Sequence, residues 1–506
     1  MKIKKNFTGL ILAILLILSV CISCGSAVEE PVIAENNAES GGGAPEESAE
    51  PSPSRLYAEL PDVKFNGYDF NFLTVYDTGI DWTDWDPRDI YAESETGDLI
   101  NDAVYRRNIS IEEKYDIKIS ETRVLSGSFT TRLRNAVSSG DDDIDAAMPY
   151  LGSVVTFAQD GWLANLHSVP FIDLTKPWWN RSCVEQMSVG GYLYFVQSDL
   201  TVIDNDAMEA KVFNKDIIRD HGLESPYDLV LSGNWTLDKL IEMSKGVALD
   251  LNGDGVMDLR DDRFGLVVQR TSFLSYYASA EGTIVSKDRD DLPYINFPNE
   301  KNYALLTKLT EMMQDKSNVV DLHRYEGKIG IYDEQAKMFS EDRALFMWIR
   351  MRIVENLRNM EADFGIIPKP KYDENQKNYI SRMNPNTATV ITVLKTNPDF
   401  ERTGIILEAL TAESKYTLQP AYYELNLKTK YARDSESEAM LDIIYDTRYT
   451  LYDIAEIYNF GDFTGTIRRV PTHDGNADYA SHFERLEPRM QRDIEKIIQN
   501  YANAAK

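Results

Sequence analysis

The chain has 506 residues, 43% of them hydrophobic and 11% aromatic, and a formal net charge of -29. That length exceeds one typical core and predicts two or more domains. The acidity excludes a nucleic-acid partner, because phosphate binding needs clustered Lys and Arg, and it favours high solubility.

In chain order, MKIKKN supplies Lys2, Lys4 and Lys5, and Leu10–Val20 is an apolar run. The run has signal-peptide length and is short for a bilayer span. CISCGS follows, with Cys21 and Cys24 where a small-residue cleavage site is expected. This stretch resembles a bacterial lipobox, which implies cleavage before a cysteine that is then lipidated. Cys24, between Ser23 and Gly25, fits better than Cys21, which follows the bulky Val20. The departure is Cys21 itself, standing where such boxes carry Leu. Residues 1–23 therefore read as a lipoprotein signal peptide and 24–64 as a flexible acidic tether. Gly, Pro, Ser and Glu dominate that tether, so it cannot bury a core.

Folded sequence begins near Phe65. YDFNFLTVY, Tyr68–Tyr76, alternates as a strand does. Leu99, Ile100, Ala103 and Val104 keep a helical rhythm, and YDIKIS after them reads as a strand. DIDAAMPY is a short strand, SVVTFAQDGWLANL a helix ending near Gly161, and AKVFNKDIIRDHGL strand, helix and Gly stop. NWTLDKLIEMSKGVA is a helix with Thr236 as N-cap and Asp238 in its first turn. RFGLVVQ is a strand, FPNEKNYALLTKLTEMMQDK a helix, and EQAKMFSEDRALFMWIRMRIVENL runs helix, strand, helix. From Phe400 onward the chain is mainly helical. Strands alternating with helices predict an α/β architecture with largely parallel sheets.

DLNGDGVMDLRD, Asp250–Asp261, has the ligand spacing of a calcium loop, with Gly255 at its sixth position. The ligands would be Asp250, Asn252, Asp254, Asp258 and Asp261, with the carbonyl of Val256. The alternative is a solvated Asx-Gly turn that binds nothing. A signalling EF-hand needs a helix on both sides, and the strand-like RFGLVV follows. The expected cofactor is at most one structural Ca2+, with no organic cofactor. Apart from Cys21 and Cys24 the chain has one cysteine, Cys183, read as a small buried hydrophobe. The histidines, at 167, 221, 323, 473 and 482, form no metal motif, and GxSxG and GxxxxGK[ST] are absent.

Several segments together carry a resemblance. They are the lipobox and tether, ETGDLINDAVYRRN, DAAMPYLGSVVTFAQDGWLANL, IDLTKPWWN, VFNKDIIRDHGLESPYDLVLSGNWTLDKL, the DLNGDGVMDLRDDRFGL loop, MFSEDRALFMWIRM, DFGIIPKPK and PAYYELNLKTKYARDSESEAMLDII. In this order they resemble the extracellular solute-binding proteins of the maltose-binding type, lipoprotein receptors of ABC sugar importers. The resemblance implies a two-lobed periplasmic-binding fold of type II, with a hinge between lobes. One lobe would be 65–200, continued over about 391–450; the other 201–390, continued over about 451–506. It further implies a monomer on the extracellular face of the cell membrane, held by lipid on Cys24. That monomer captures a carbohydrate, an oligosaccharide, by cleft closure and delivers it to an ABC permease.

A sugar cleft needs aromatic planes for ring faces and charged or amide groups for hydroxyls. By position in the family pattern, the ligand would meet Tyr76, Asp77, Tyr150, Asp204, Asn205, Trp348 and Arg350. Trp348 could equally be core, Tyr76 and Tyr150 could cap a lobe core, and Asp204 could bind a turn amide. Trp82 and Trp85 admit either role, whereas at least one of Trp178 and Trp179 reads as a structural wedge. The chain is expected not to be an enzyme. The alternative from another class is a glycoside hydrolase or other surface carbohydrate-active enzyme, which would also need aromatics and paired carboxylates. A weaker one is a dockerin-like interaction module, which normally needs two such calcium loops. A binder of peptides or other small solutes also stays open.

Overall fold

The computed structural model describes residues 55–506 except 81–82, 141, 355–356, 358–361, 424–433, 448–453, 473–476 and 505–506. The signal peptide, Cys24, most of the tether, Trp82 and His473 lie outside the described residues.

Two sheets organise the rest. The first contains β1 (Tyr68–Ile80), β2 (Thr83–Trp85), β3 (Ile117–Leu125) and β4 (Ala146–Met148). β3 and β4 run parallel to β1, while β2 folds back antiparallel on it. The second contains β5 (Glu209–Asn214) and β6 (Phe264–Val268). After a separate hairpin of β7 (Val285–Lys287) and β8 (Pro293–Ile295), it adds β9 (Val319–Asp321), β10 (Ala344–Arg350) and β11 (Phe364–Ile367). Its order is β11-β5-β10-β6-β9.

The expectation of largely parallel sheets needs correcting here. β6 is parallel to β9 and β10, but β5 runs against both β10 and β11. β5 is the first strand of its sheet and enters directly after the short helix Ile203–Asp206. No crossover helix within the sheet sets its direction.

Helix ends follow the sequence signals. Asp98 caps the helix Leu99–Tyr115 by accepting from the amides of Ile100 and Asn101. Thr236 caps Leu237–Lys245 by accepting from Lys239 N, with Asp238 in the first turn. Both satisfy amides that a helix start would leave orphaned. From Phe400 the elements are helical, the longest being Tyr479–Ala504. No helix among the described residues is long and apolar enough to cross a membrane.

Among the described residues, two of the passages between the sheets are short segments. The first is the helix Ile203–Asp206, just before β5. The second lies between Met383, bridged to Met208, and Thr389, bridged to Tyr150. Asp206 pins the first passage. Its carboxylate accepts from Arg88 at 3.2 Å, Arg352 at 3.1 Å and the Tyr422 hydroxyl at 2.8 Å.

Close helix packing appears at Gly404, in the helix Phe400–Tyr416. A Cβ there would sit 1.8 Å from the carbonyl oxygen of Pro170. The backbone cannot yield cheaply, so Gly404→Ala should destabilise by about 1–3 kcal/mol or more in urea unfolding. An unchanged midpoint would show that this contact relaxes freely.

Candidate ligand site

In α/β sheets, ligands gather outside the carboxyl ends of the parallel strands. At that end of the first sheet, Tyr76 pairs with Leu125 and carries the Arg123 guanidinium 5.3 Å from its ring centroid. The Asp77 carboxylate accepts from Ser126 Oγ at 2.7 Å. Tyr150 stands at the N-terminus of the helix Leu151–Gln159. Burial, and then the neighbouring Asp77 carboxylate, pushes its hydroxyl pKa up. Trp85 pairs with Asp77 across β1 and β2.

The second sheet supplies a denser set. Side chains of one strand alternate between faces, so Glu209 and Lys211 of β5 share a face with their partners Arg350 and Trp348 of β10. The Arg350 guanidinium lies 5.4 Å from the Trp348 ring centroid and 5.3 Å from that of Trp85. Arg350 thus joins the two sheets through two indole rings. It also donates to the Tyr332 hydroxyl at 3.1 Å. Burial, and then Arg382, pulls its pKa down to about 9. The Trp348 ring is buried, and its indole N–H has no hydrogen-bond partner among the described residues.

Two lysines complete this face. Lys211 and Lys369 are both 0% exposed. Their ammonium groups lie 5.1 and 4.9 Å from the ring centroid of Tyr276. Neither Nζ has a hydrogen-bond partner among the described residues. Burial, and then the other ammonium, pulls Lys211 well below the usual lysine range. Lys369 falls to about 7, mainly through burial, with Glu209 opposing the fall and Arg382 adding to it. Glu209 itself is held by Arg382 Nη1 at 2.6 Å, while its other oxygen is buried without a hydrogen bond.

The structure therefore brings Trp348 and Arg350 together on one strand, and Tyr76, Asp77 and Tyr150 together at the end of the first sheet. Trp85 links the two groups. Asp204 and Asn205 sit apart, buried in the passage before β5. Asp204 accepts from the Asn205 amide, and Asn205 Nδ2 donates to Gln419 Oε1 at 3.1 Å. Trp178 and Trp179 both donate indole N–H groups to Glu408, at 2.9 and 2.7 Å, which ties both to the helix Phe400–Tyr416. Cys183 is buried and its thiol is pushed up to about 12 by burial, as suits a small hydrophobe.

Lys211, Lys369, Glu209, Arg382 and Tyr276 were not singled out from the sequence. EAKVFN does carry a usable signal: two charges at alternate, same-face positions of a strand. Nothing local marks Tyr276, which reaches the set from the helix Arg270–Ser279.

The loop from Asp250 lies between a helix and a strand, as its sequence context implies, and is closed by the Leu249–Arg263 bridge. Asp250 accepts from the amides of Gly253 and Gly255, both at 2.7 Å. Asn252, Asp254 and Asp258 each accept from the amide two residues on. Asp262, outside the expected ligand set, is buried and accepts from the amides of Leu251 and Asp258 at 2.9 and 2.7 Å. No group of three or more His, Cys, Asp or Glu side chains placed to hold a metal ion occurs among the described residues. In this conformation the turn is closed by its own amides.

No family model and no curated protein sequence matches this chain. Solved structures do. An ABC substrate-binding protein of Listeria monocytogenes, in complex with cycloalternan, aligns over 86% of this chain and 99% of its own, at 13% identity and a TM-score of 0.51. The cyclic α-maltosyl-1,6-maltose binding protein of Arthrobacter globiformis aligns over 87% and 99%, at 14% identity and a TM-score of 0.53. A sugar transporter protein of Rhizobium etli, in an open conformation, aligns over 86% and 99%, at 11% identity and a TM-score of 0.54. This chain has the two-lobed α/β fold of those binding proteins.

Proposed function

We propose that this protein is a solute-binding lipoprotein that captures a carbohydrate, an oligosaccharide, by closing its two lobes over it. It then delivers the ligand to an ABC permease at the extracellular face of the cell membrane. The observation that carries this reading is the aromatic and charged set at the carboxyl ends of both sheets. Trp85 and Trp348 there flank Arg350. Stacking planes beside hydrogen-bonding groups are what a sugar requires. The fold shared with sugar-binding receptors supports it. Closure follows if the ligand binds the closed form better than the open one. Lipid on Cys24 and a monomeric state complete the proposal; Cys24→Ala should release the protein from membranes.

The first test is thermal unfolding against an oligosaccharide panel. A glycan held at 100 times its Kd should add roughly 2.7 kcal/mol and raise the melting temperature. The glycan should be recovered intact. Cleavage would establish the enzyme reading, and a panel without any shift would remove the sugar assignment.

Calcium in the loop Asp250–Asp261 is a separate proposal, supported by ligand spacing alone. Its expected result is a melting temperature raised by millimolar Ca2+ and restored by chelator. Equal melts with and without Ca2+ would leave a plain Asx-Gly turn.

A further inference from the structure

Neither lysine of the pair ties the fold together by a hydrogen bond from its Nζ among the described residues. Burying one unpaired ammonium is costly, and two in mutual repulsion are worse. A sequence could avoid that cost with Met or Leu at either position. Lys211 and Lys369 instead both lie over the ring of Tyr276, and Lys369 also lies 5.9 Å from the Trp348 ring centroid. No Asp or Glu oxygen lies within ion-pair distance of either lysine among the described residues. The acid that acts on Lys369 is Glu209, and its carboxylate is already engaged by Arg382. The local balance is therefore cationic within a chain of net charge -29.

We infer that Lys211 and Lys369 form a subsite for the anionic group of an acidic glycan, a carboxylate or a sulfate ester on the sugar. The inference rests on the carbohydrate reading above and narrows it to charged ligands. The oxyanion supplies the acceptor that both Nζ groups lack, and its charge favours their protonated form. The unpaired oxygen of Glu209 accepts a sugar hydroxyl, and the Trp348 N–H donates to a ring or hydroxyl oxygen. Glu209 also disfavours an anion placed at the Arg382 side, which orients the acid toward the lysines. Both lysines are sealed from solvent in this conformation, so entry requires the lobes to open.

The test is calorimetric titration of the purified protein with four probes: tri-galacturonic acid, its methyl ester, a sulfated disaccharide and inorganic sulfate. The expected result is that one of the two acidic glycans binds at least tenfold tighter than the neutral ester. Which one binds identifies carboxylate or sulfate as the recognised group. That preference should fall toward unity in Lys211→Met and Lys369→Met. The unliganded melting temperature of both variants should stay the same or rise, since each exchanges a buried Nζ without a hydrogen bond for an apolar group. A methyl ester that binds as tightly as the acids overturns the inference and leaves the sugar-binding function standing. So does a preference unchanged in both variants, or binding of inorganic sulfate without either acidic glycan. If no glycan of either kind binds, the carbohydrate reading fails first and takes this inference with it. The acid-against-ester comparison needs no variant, so a folding defect in one would not protect the idea.

Discussion

Arg382→Met is expected to lower the unfolding free energy by about 3–5 kcal/mol, read from urea denaturation at pH 7. Arg382 is buried and clamps two carboxylates from distant parts of the chain. Nη1 meets Glu209 of β5 at 2.6 Å, and Nε meets Glu456 at 3.0 Å, with Nη2 also on Glu456. Its carbonyl accepts from the Glu209 amide at 2.9 Å, fixing the strand beside it. Burial pulls the Arg382 pKa down, but Glu209 and Glu456 outweigh that and hold it above the ordinary arginine value. Methionine keeps most of the volume and removes the charge. Glu209, 0% exposed, would then be a buried carboxylate without a cation. The loss should shrink in a Glu209→Gln background, because the stranded charge is gone. A loss below about 1 kcal/mol, the range of an exposed ion pair, would show that solvent reaches this triad.

Glu408→Ala is expected to cost about 3 kcal/mol or more, since it orphans two buried donors and one part-buried donor. Those donors are the indoles of Trp178 and Trp179 and the amide of Asp173. The carboxylate sits in the helix Phe400–Tyr416 and ties it to the 173–179 loop. Glu408→Gln keeps one acceptor oxygen and should cost about half as much. Both variants also change the pH dependence relative to wild type. Burial raises the Glu408 pKa to about 7, against the opposing pull of its donors. A carboxyl with a raised folded-state pKa favours the fold below its ordinary value of 4.5, and that contribution is lost as pH rises through about 7. Burial likewise raises Glu121 to about 7 and Asp145 to about 6. The melting temperature should therefore fall between pH 5 and pH 8, and Glu408→Gln should flatten that slope. A slope identical in wild type and Glu408→Gln would show that Glu408 is ionised throughout this range.

Local order was legible in the amino-acid sequence. The strand at Tyr68, the helix capped by Thr236, the strand after Arg263 and the helical C-terminal part all follow from periodicity and capping chemistry, which act over a few residues. The α/β class follows from their alternation. Trp348 and Arg350 were also accessible, as a large ring and a charge closing an apolar strand. What only the tertiary structure decided was the company these residues keep. The reversed direction of β5 sets Lys211 against Trp348 and Glu209 against Arg350, and direction depends on where the chain re-enters a sheet. Tyr276 and Lys369 reach the same point from a helix and a loop 93 residues apart in the chain. Asp204 and Asn205 are ligand candidates by position in the chain, and only the structure places both, buried, in the passage before β5. Spacing along a chain reports which side chains share a face. Which faces meet, and whether a buried charge there finds its partner, is settled by packing between segments that periodicity cannot relate.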